Sequence, residues 1–159
     1  MFKRLWKNEK GLTLVELLAV VVILGIIAAI AVPSIGSIID NTKRDAHLAN
    51  AQQLVSSAKL YIATENPSAT DLSSTGITLK NLIDNGYLSD IKDPSGTTGS
   101  TYNTENTKIF VEKDSTKGYQ YYVILTNGTN TYIDGHTPAT KIDITALTRS
   151  HVNLPGETS

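Results

Sequence analysis

An unbroken apolar run constrains this 159-residue chain more than any other feature of its sequence. Every residue in Leu17–Val32 is apolar or glycine, and Glu16 is the only charged residue in Leu12–Ile39. A helix rises about 1.5 Å per residue, so Leu12–Ile39 extends roughly 40 Å, enough to cross a hydrocarbon core of about 30 Å. The run predicts a membrane-spanning helix, and a carboxylate inside such a helix indicates a functional site that needs a partner.

The residues before Glu16 supply a candidate partner. Cleavage between Gly11 and Leu12 would create an α-amine on Leu12, which lies four residues, about one helical turn, before Glu16. The amine and the carboxylate carry opposite charge at similar depth. The amine can therefore neutralise Glu16 within one chain or between two staggered chains.

The segment Lys10–Glu16 (KGLTLVE) is similar to a known family signature. A basic leader ends in Gly11 and is followed by an apolar residue, Thr13, two more apolar residues, Glu16 and a run of apolar or small residues to Ile30. This arrangement resembles the type IV prepilin signature at every position. The resemblance covers roughly the first third of the chain.

The resemblance implies a route of maturation and assembly. A membrane aspartyl peptidase of the prepilin type would cut after Gly11 and methylate the Leu12 amine, and Glu16 would pair with that amine on a neighbouring subunit. Gly25 and Pro33 match the positions that bracket the unwound part of the helix in pilin filaments, and Pro33 is itself expected to loosen the turn before it. The implied partners are copies of the chain or related pilins, the prepilin peptidase, a pilus assembly platform and, before assembly, the lipid bilayer.

The charges that flank the run predict its orientation. Residues 1–11 contain four basic side chains and one acidic side chain, so we expect the N-terminus inside and the residues after Ile39 outside. The predicted locations are the cytoplasmic membrane and an extracellular pilus. A secretory signal peptide is one alternative, because Ala29–Ala31 is an A-x-A pattern, although the run exceeds the usual length of about 7–15 residues. A plain single-pass anchor is another, and both leave Glu16 and the Gly11 junction unexplained.

The helix is predicted to continue beyond the membrane. Between Leu48 and Ile62 apolar residues recur every three or four positions, which is typical of a helix with one buried face. Asn66 precedes a proline, and this position disfavours helical backbone. We expect one helix over about residues 13–64, apolar all round in its first half (12–39) and amphipathic over 40–65.

Residues 66–159 are predicted to form a globular head. Thr78 is a candidate N-cap for a short helix over residues 79–85. Asn127-Gly128 fits a type I′ hairpin turn. The sheet is expected over about residues 108–148, with strands at Lys108–Lys113, Gln120–Thr126, Thr129–Asp134 and Lys141–Thr148. The predicted fold is α+β, with the long helix packed on a small antiparallel sheet of three to four strands.

Two further features refine the resemblance. Leu82–Leu88, leading to Asp93-Pro94, resembles a segment common in Gram-positive pilins and pseudopilins, which indicates a pilin of the Gram-positive, clostridial type. The chain has no cysteine, whereas many pilins carry a disulfide near the C-terminus, so its head must be held together by packing. Residues Val152–Ser159 are expected to be loose.

The histidines and the loop acids favour ordinary structural interpretations. The three histidines lack the spacing of metal ligands and are interpreted as surface residues; they are His47, His136 and His151. Three loop acids have the oxygen ligands that calcium needs, but solvated carboxylates are the favoured interpretation. These acids are Asp84, Asp90 and Asp93. No metal site is predicted.

Three tyrosines on one predicted strand can form a stacking platform for single-stranded DNA. The sequence clusters no lysine or arginine with them, so a place in the sheet core is favoured for Tyr119, Tyr121 and Tyr122. Asn127-Gly128-Thr129 matches a glycosylation sequon, although the predicted turn already accounts for the Asn-Gly pair.

The sequence thus predicts a structural subunit of a type IV pilus that is not an enzyme and needs no cofactor. A formal net charge of −1 gives no global attraction to nucleic acid, which is not expected as a partner. One alternative is a pseudopilin of a type II secretion or DNA-uptake machine, which would carry the same leader and helix. The other is a secreted binding module released by signal peptidase after Ala31.

Overall fold

The computed structural model describes residues 13–137 and 140–157. The chain divides into two compact units, residues 1–39 and residues 40–159. Helix α1 spans Leu14–Glu65 and includes Pro33. The predictions for Gly11 and Leu12 concern residues outside the described ranges.

The first part of α1 presents apolar side chains that the chain itself does not cover. Residues 14–30 are all exposed, and the helix is long and apolar enough to cross a membrane by length and composition. Residues Ala29–Val32 belong to the helix, which continues through Pro33. Proline removes one backbone donor, and the expected loosening of the preceding turn stays a prediction. Unwinding between Gly25 and Pro33 in a filament stays a prediction.

The second part of α1 buries one face in the head. Its buried apolar residues recur at intervals of one, three and four positions, as expected for a helical stripe. They are Ala51, Leu54, Val55 and Ala58. This stripe joins the hydrophobic core formed with Ile109, Val111, Val123 and Leu125 of the sheet. The predicted α+β class, a long helix packed on an antiparallel sheet, is confirmed.

The main sheet has four antiparallel strands in the order β1-β2-β3-β4. These strands are β1 at Ile77–Thr78, β2 at Lys108–Asp114, β3 at Gly118–Thr126 and β4 at Thr131–Asp134. Strand β3 is central, and its pairing with β2 runs from Lys108↔Ile124 to Asp114↔Gly118. Val123 and Leu125 lie at alternate positions of β3, so their side chains share one face of the sheet. Both are fully buried in the core that includes the stripe of α1.

The fourth strand is not the one that the sequence predicts. The segment Lys141–Thr148 was expected as a strand, but Ile144–Ala146 is a 3-10 turn, with the Asp143 carboxylate accepting from the Thr145 amide at 2.9 Å. Lys141 is the only residue of this segment that belongs to a strand, the two-residue β6 (Thr140–Lys141), which pairs with β5 (His136–Thr137) outside the main sheet. The main sheet gains Ile77–Thr78 in its place. Two alternating isoleucines are too short a pattern to separate a strand from a capped turn.

The hairpin between β3 and β4 differs in detail from the predicted type I′ turn. That turn requires positive φ at both central residues, whereas Gly128 has φ +95° and Asn127 is not among the positive-φ residues. The Asn127 side-chain oxygen instead accepts hydrogen bonds from the Thr129 and Asn130 amides, at 3.0 and 2.8 Å. Strand β4 consequently starts at Thr131, with a register shift beside Thr126.

The short helix α2 spans Leu79–Asp84. Its start follows the predicted cap, because the Thr78 hydroxyl accepts from the Asn81 amide at 3.0 Å. The Asn81 side chain accepts in return from the Thr78 amide at 3.1 Å, which completes a capping box. Before this helix, Asp71–Thr75 forms a π-helical turn.

The interpretation of His47 as a surface residue is wrong. Its side chain is fully buried, with Nδ1 2.7 Å from the Tyr102 hydroxyl and Nε2 2.9 Å from Ser95 Oγ. Its ring stacks on Tyr132 with 4.0 Å between centroids. The sequence around His47 gave no signal for its burial, because the partners Ser95, Tyr102 and Tyr132 lie at least 48 residues away along the chain.

Asp93 is likewise buried rather than a solvated loop acid. Its Oδ2 accepts from the Tyr132 hydroxyl at 2.6 Å and from the Asn127 side-chain amide at 3.0 Å, and its Oδ1 accepts from the Ser95 amide at 2.9 Å. We call His47, Asp93, Ser95, Tyr102, Asn127 and Tyr132 the buried polar cluster. Buried groups of this kind need hydrogen-bond partners, and this cluster provides them for one another.

The segment 149–157 is anchored, contrary to the expectation that Val152–Ser159 would be loose. Val152 and Leu154 are buried. The Arg44 guanidinium donates to the Val152 carbonyl and to the Glu157 carboxylate. Arg149 completes the attachment through both carboxylate oxygens of Asp45, with 2.6 Å between Nη2 and Oδ2. We call this set of ion pairs and hydrogen bonds the arginine clasp.

Candidate assembly site

Glu16 closes a capping box at the start of α1. Its Oε2 accepts hydrogen bonds from the Thr13 amide and the Thr13 hydroxyl, both at 2.8 Å. The Glu16 amide donates back to the Thr13 hydroxyl at 3.3 Å. Threonine at the N-cap and glutamate three residues later is the usual pattern of such a box. The carboxylate thus stabilises the first helical turn while its side chain remains exposed.

This local role of Glu16 was not among the predictions from the sequence. The signal was present in Thr13-Leu14-Val15-Glu16, which matches the T-x-x-E pattern that precedes an apolar helix. The predicted role of Glu16 was instead that of a carboxylate that needs a positively charged partner. Both roles are compatible, because hydrogen bonds from neutral donors leave the negative charge of a carboxylate in place.

After the predicted cleavage site, no basic side chain lies near Glu16 in the sequence. From Gly11 to Thr42 the chain contains no lysine, arginine or histidine. All other side chains in residues 14–32 are apolar or glycine and are largely exposed. When lipid or neighbouring helices cover this apolar surface, the Glu16 carboxylate loses its contact with water. The loss of hydration costs a large free energy unless a cation is buried with the carboxylate.

Gly25 and Pro33 lie on the same exposed helix as Glu16. A Cβ atom added at Gly25 would meet no atom within 4 Å, so no close contact within the chain requires glycine there. Packing inside this chain therefore does not explain the residue. The roles of Gly25 and Pro33 in filament formation stay predictions.

Each of the three tyrosines of β3 has a lysine near its ring. These lysines are separated from the tyrosines along the chain, so the sequence did not reveal the contacts. Tyr119 is exposed, and Tyr121 and Tyr122 are half-buried. The distances from a lysine Nζ to a ring centroid are 5.9 Å for Lys113 at Tyr119, 4.7 Å for Lys59 at Tyr121 and 5.6 Å for Lys141 at Tyr122. The expectation that no lysine lies near these rings is therefore wrong, although Tyr121 does pack against the core.

The remaining histidines and acids do not assemble into a metal centre. His136 stacks on Phe110 and lies 3.4 Å from Glu112, and His151 caps a 3-10 turn through Thr148. Within residues 13–137 and 140–157, no three His, Asp or Glu side chains are grouped to hold a metal ion.

Comparisons with known proteins bear on the N-terminal segment and on the whole chain. The family model of the prokaryotic N-terminal methylation motif matches residues 6–32, which include Gly11, Leu12 and Glu16. The type IV major pilin protein PilE of Neisseria gonorrhoeae is 28% identical over 98 residues. The alignment covers 62% of this chain and 59% of that pilin. No solved structure gives a significant match.

These findings, together with the long apolar helix and the antiparallel head, support the type IV pilin family for this chain. The motif match reaches residue 32, and the similarity to PilE extends beyond it over a larger part of the chain. The relative is a Neisseria protein, and the assignment to a Gram-positive, clostridial-type pilin stays a prediction.

Proposed function

We propose that this chain is a structural subunit of a type IV pilus. The observation that carries the proposal is the N-terminal methylation motif at residues 6–32, located at the start of a 52-residue helix whose apolar part is exposed. The similarity to a type IV major pilin supports the same function. In this proposal the subunit is held in the cytoplasmic membrane by residues 12–39 until it joins an extracellular filament.

Maturation would create the counter-charge that Glu16 lacks. Cleavage after Gly11 leaves an amine on Leu12, and three bonds separate that nitrogen from the Thr13 nitrogen, a span of at most about 3.7 Å. The Thr13 nitrogen lies 2.8 Å from Glu16 Oε2. While the capping box is kept, the amine and the carboxylate thus lie within about 6.5 Å of each other in one subunit.

On assembly, the apolar helix would exchange lipid for neighbouring helices, and Glu16 would pair with the amine of a neighbouring subunit. Extraction from the membrane replaces the lipid contacts of the apolar helix with helix–helix contacts. Because lipid tails are as apolar as leucine, this exchange gives little net hydrophobic free energy. Register needs a directional contact. Glu16 paired with the Leu12 amine of a neighbouring subunit supplies it, and head-to-tail contacts that do not close produce a helical filament.

A pseudopilin of a type II secretion or DNA-uptake machine remains the second candidate, because it would share the motif and the helix. Filament length and abundance separate the two, since a pilus is a long surface filament. Release after Ala31 is less well supported, because the helix continues without interruption through Ala31 to Glu65.

The first test of the proposal is the mass and N-terminal sequence of the mature protein. An N-terminus at Leu12 carrying one extra methyl group is expected. An N-terminus at Val32 would contradict membrane retention, and an unprocessed Met1 would contradict maturation by a prepilin peptidase. Purified surface filaments should contain the processed chain.

The second test is Glu16→Ala in the native host. We expect the subunit to remain in the membrane fraction with a folded head, because the side chain is exposed and far along the chain from the core residues of the head. Incorporation into filaments should fall sharply. Asp40→Asn is the matched control, because it removes an exposed acid of the same helix beyond the apolar run. Normal incorporation of the Glu16 variant would refute the assembly role of that residue.

A further inference from the structure

The sequence contains two asparagine–glycine pairs, Asn85-Gly86 and Asn127-Gly128. An asparagine can react with its own backbone, because the nitrogen of the following residue can attack the side-chain carbonyl carbon. Glycine in the following position favours this reaction, since it has no Cβ atom to hinder the approach and its backbone is unusually flexible. The two pairs therefore have similar intrinsic reactivity, and the structure around each asparagine determines how readily the reaction occurs.

The side chain of Asn127 uses all of its hydrogen-bonding positions. Its Nδ2 donates to the Tyr132 hydroxyl at 2.7 Å and to Asp93 Oδ2 at 3.0 Å. Its Oδ1 accepts from two backbone amides of the hairpin turn, at 3.0 and 2.8 Å. The attacking nitrogen is engaged as well, because the Gly128 amide donates to Thr126 Oγ1 at 3.0 Å. Reaction at Asn127 therefore requires the turn and part of the buried polar cluster to open together.

Asn85 is held less firmly, at the exposed end of α2. Among the hydrogen bonds of residues 13–137 and 140–157, its side chain forms one, from Nδ2 to the Asn81 carbonyl at 2.8 Å. Gly86 is exposed with φ +75°, and a Cβ atom added there would meet no atom within 4 Å. Its amide donates to the Ile83 carbonyl at 2.9 Å, so opening the last turn of a six-residue helix frees the attacking nitrogen.

We propose that Asn85 is a site of spontaneous deamidation and that the buried polar cluster protects Asn127 from the same reaction. The Gly86 nitrogen forms a bond to Cγ of Asn85, the Cγ–Nδ2 bond breaks, and ammonia leaves with the proton of the Gly86 amide. Water then opens the succinimide ring at either carbonyl, which gives aspartate or isoaspartate. The product adds a negative charge beside Asp84. The proposal is independent of filament assembly, because both asparagines belong to the head.

The test follows the full-length chain in micelles at neutral pH over weeks. Peptide mapping by mass spectrometry measures the conversion of each asparagine, and an isoaspartate methyltransferase assay detects the rearranged product. Conversion at Asn85 should be at least about tenfold faster than at Asn127, the ratio given by a difference of about 1.4 kcal/mol in the free energy of local opening. In urea, where both turns are unfolded, the two rates should become similar.

Two tyrosine variants test the protection of Asn127. Tyr132→Phe removes a hydroxyl that accepts from its side chain, and it should raise the rate at Asn127 about two- to tenfold, as for the loss of one hydrogen bond. Tyr102→Phe is the matched control with a smaller expected effect, because its hydroxyl belongs to the same cluster but bonds to His47. Equal rates at the two asparagines in the folded chain, no conversion at Asn85, a difference that persists in urea, or equal effects of the two variants would each overturn the proposal.

Discussion

Lowering the pH from 7 to 5 should destabilise the head by about 2 kcal/mol through one residue, His47. Its side chain is fully buried, and this burial lowers the pKa of His47 to about 4, although the nearby Asp93 carboxylate opposes the shift. An exposed histidine in the unfolded chain titrates near 6.5. Between these values the unfolded state binds the proton and the folded state does not, so stability is complete above pH 6.5 and falls as the pH drops toward 4.

The magnitude follows from the two pKa values of His47. At pH 5 the unfolded histidine is almost fully protonated, which favours unfolding by about 2 kcal/mol, whereas at pH 7 the same term is about 0.2 kcal/mol. The pKa values of the carboxyl groups Asp45 and Glu157 are lowered by Arg149 and by the Leu154 amide respectively. Their stabilisation is lost only as the pH falls through and below about 4, so the interval from pH 7 to 5 reports mainly on the histidine.

The assay is urea unfolding of the full chain in micelles at pH 7, 6 and 5, for the natural chain and for His47→Gln. Glutamine keeps a polar group near Tyr102 and Ser95 but does not titrate. The variant should be less stable at pH 7 and should lose about 2 kcal/mol less between pH 7 and 5 than the natural chain. The other histidines are present in both proteins and cancel in this difference. Equal pH dependence of the two proteins would refute the reasoning.

Three further substitutions test other parts of the structure. Thr13→Ala should remove about 1 kcal/mol from the first turn of α1 and raise hydrogen exchange at the Glu16 amide about fivefold, because that amide loses the hydroxyl that caps it. Arg44→Met should cost about 1–2 kcal/mol and increase proteolysis within residues 149–157, because it removes the centre of the arginine clasp. Leu54→Ala should cost about 2–5 kcal/mol in urea unfolding, because the side chain is fully buried, whereas Leu60→Ala on the exposed side of the same helix should cost much less.

Each of these predictions has an outcome that contradicts it. Unchanged exchange at the capped amide would mean that the capping box is not formed in micelles. Lys43→Met is the control for Arg44→Met, because it removes the neighbouring positive charge. Equal rates of proteolysis in the two variants would mean that the clasp does not hold segment 149–157. Equal costs for the two leucine variants would contradict the described orientation of α1 in the head.

Features that depend on local sequence were predictable. The stripe from Ala51 to Ala58 follows from residue spacing, and the Thr78 cap follows from the residue type and its place before Leu79. The assembly role of Glu16 was predicted from its charge within the apolar run and from the prepilin resemblance, and it stays a prediction. Its capping role was equally predictable, because Thr13 lies three residues before it.

Features that depend on distant partners were not predictable. The burial of His47 requires Tyr102 and Tyr132, which the fold brings to it from other elements. Strand β1 has only two residues, and no periodicity can be read from so short a segment. The anchoring of segment 149–157 depends on Arg44, more than a hundred residues earlier, and polar residues around Val152 resemble those of a free tail.

The arginine clasp also determines when the head can be completed during synthesis. Arg44 and Asp45 leave the ribosome soon after the apolar run, but the backbone carbonyl and the guanidinium that they bind are made 104–108 residues later. At a synthesis rate of about 5–20 residues per second, the interval is roughly 5–20 seconds. The strands of the main sheet, which end at Asp134, are made before the clasp partners, so during the last part of that interval α1 lacks only the contacts of segment 149–157. The head therefore reaches its complete set of contacts only once residues 149–157 have been made.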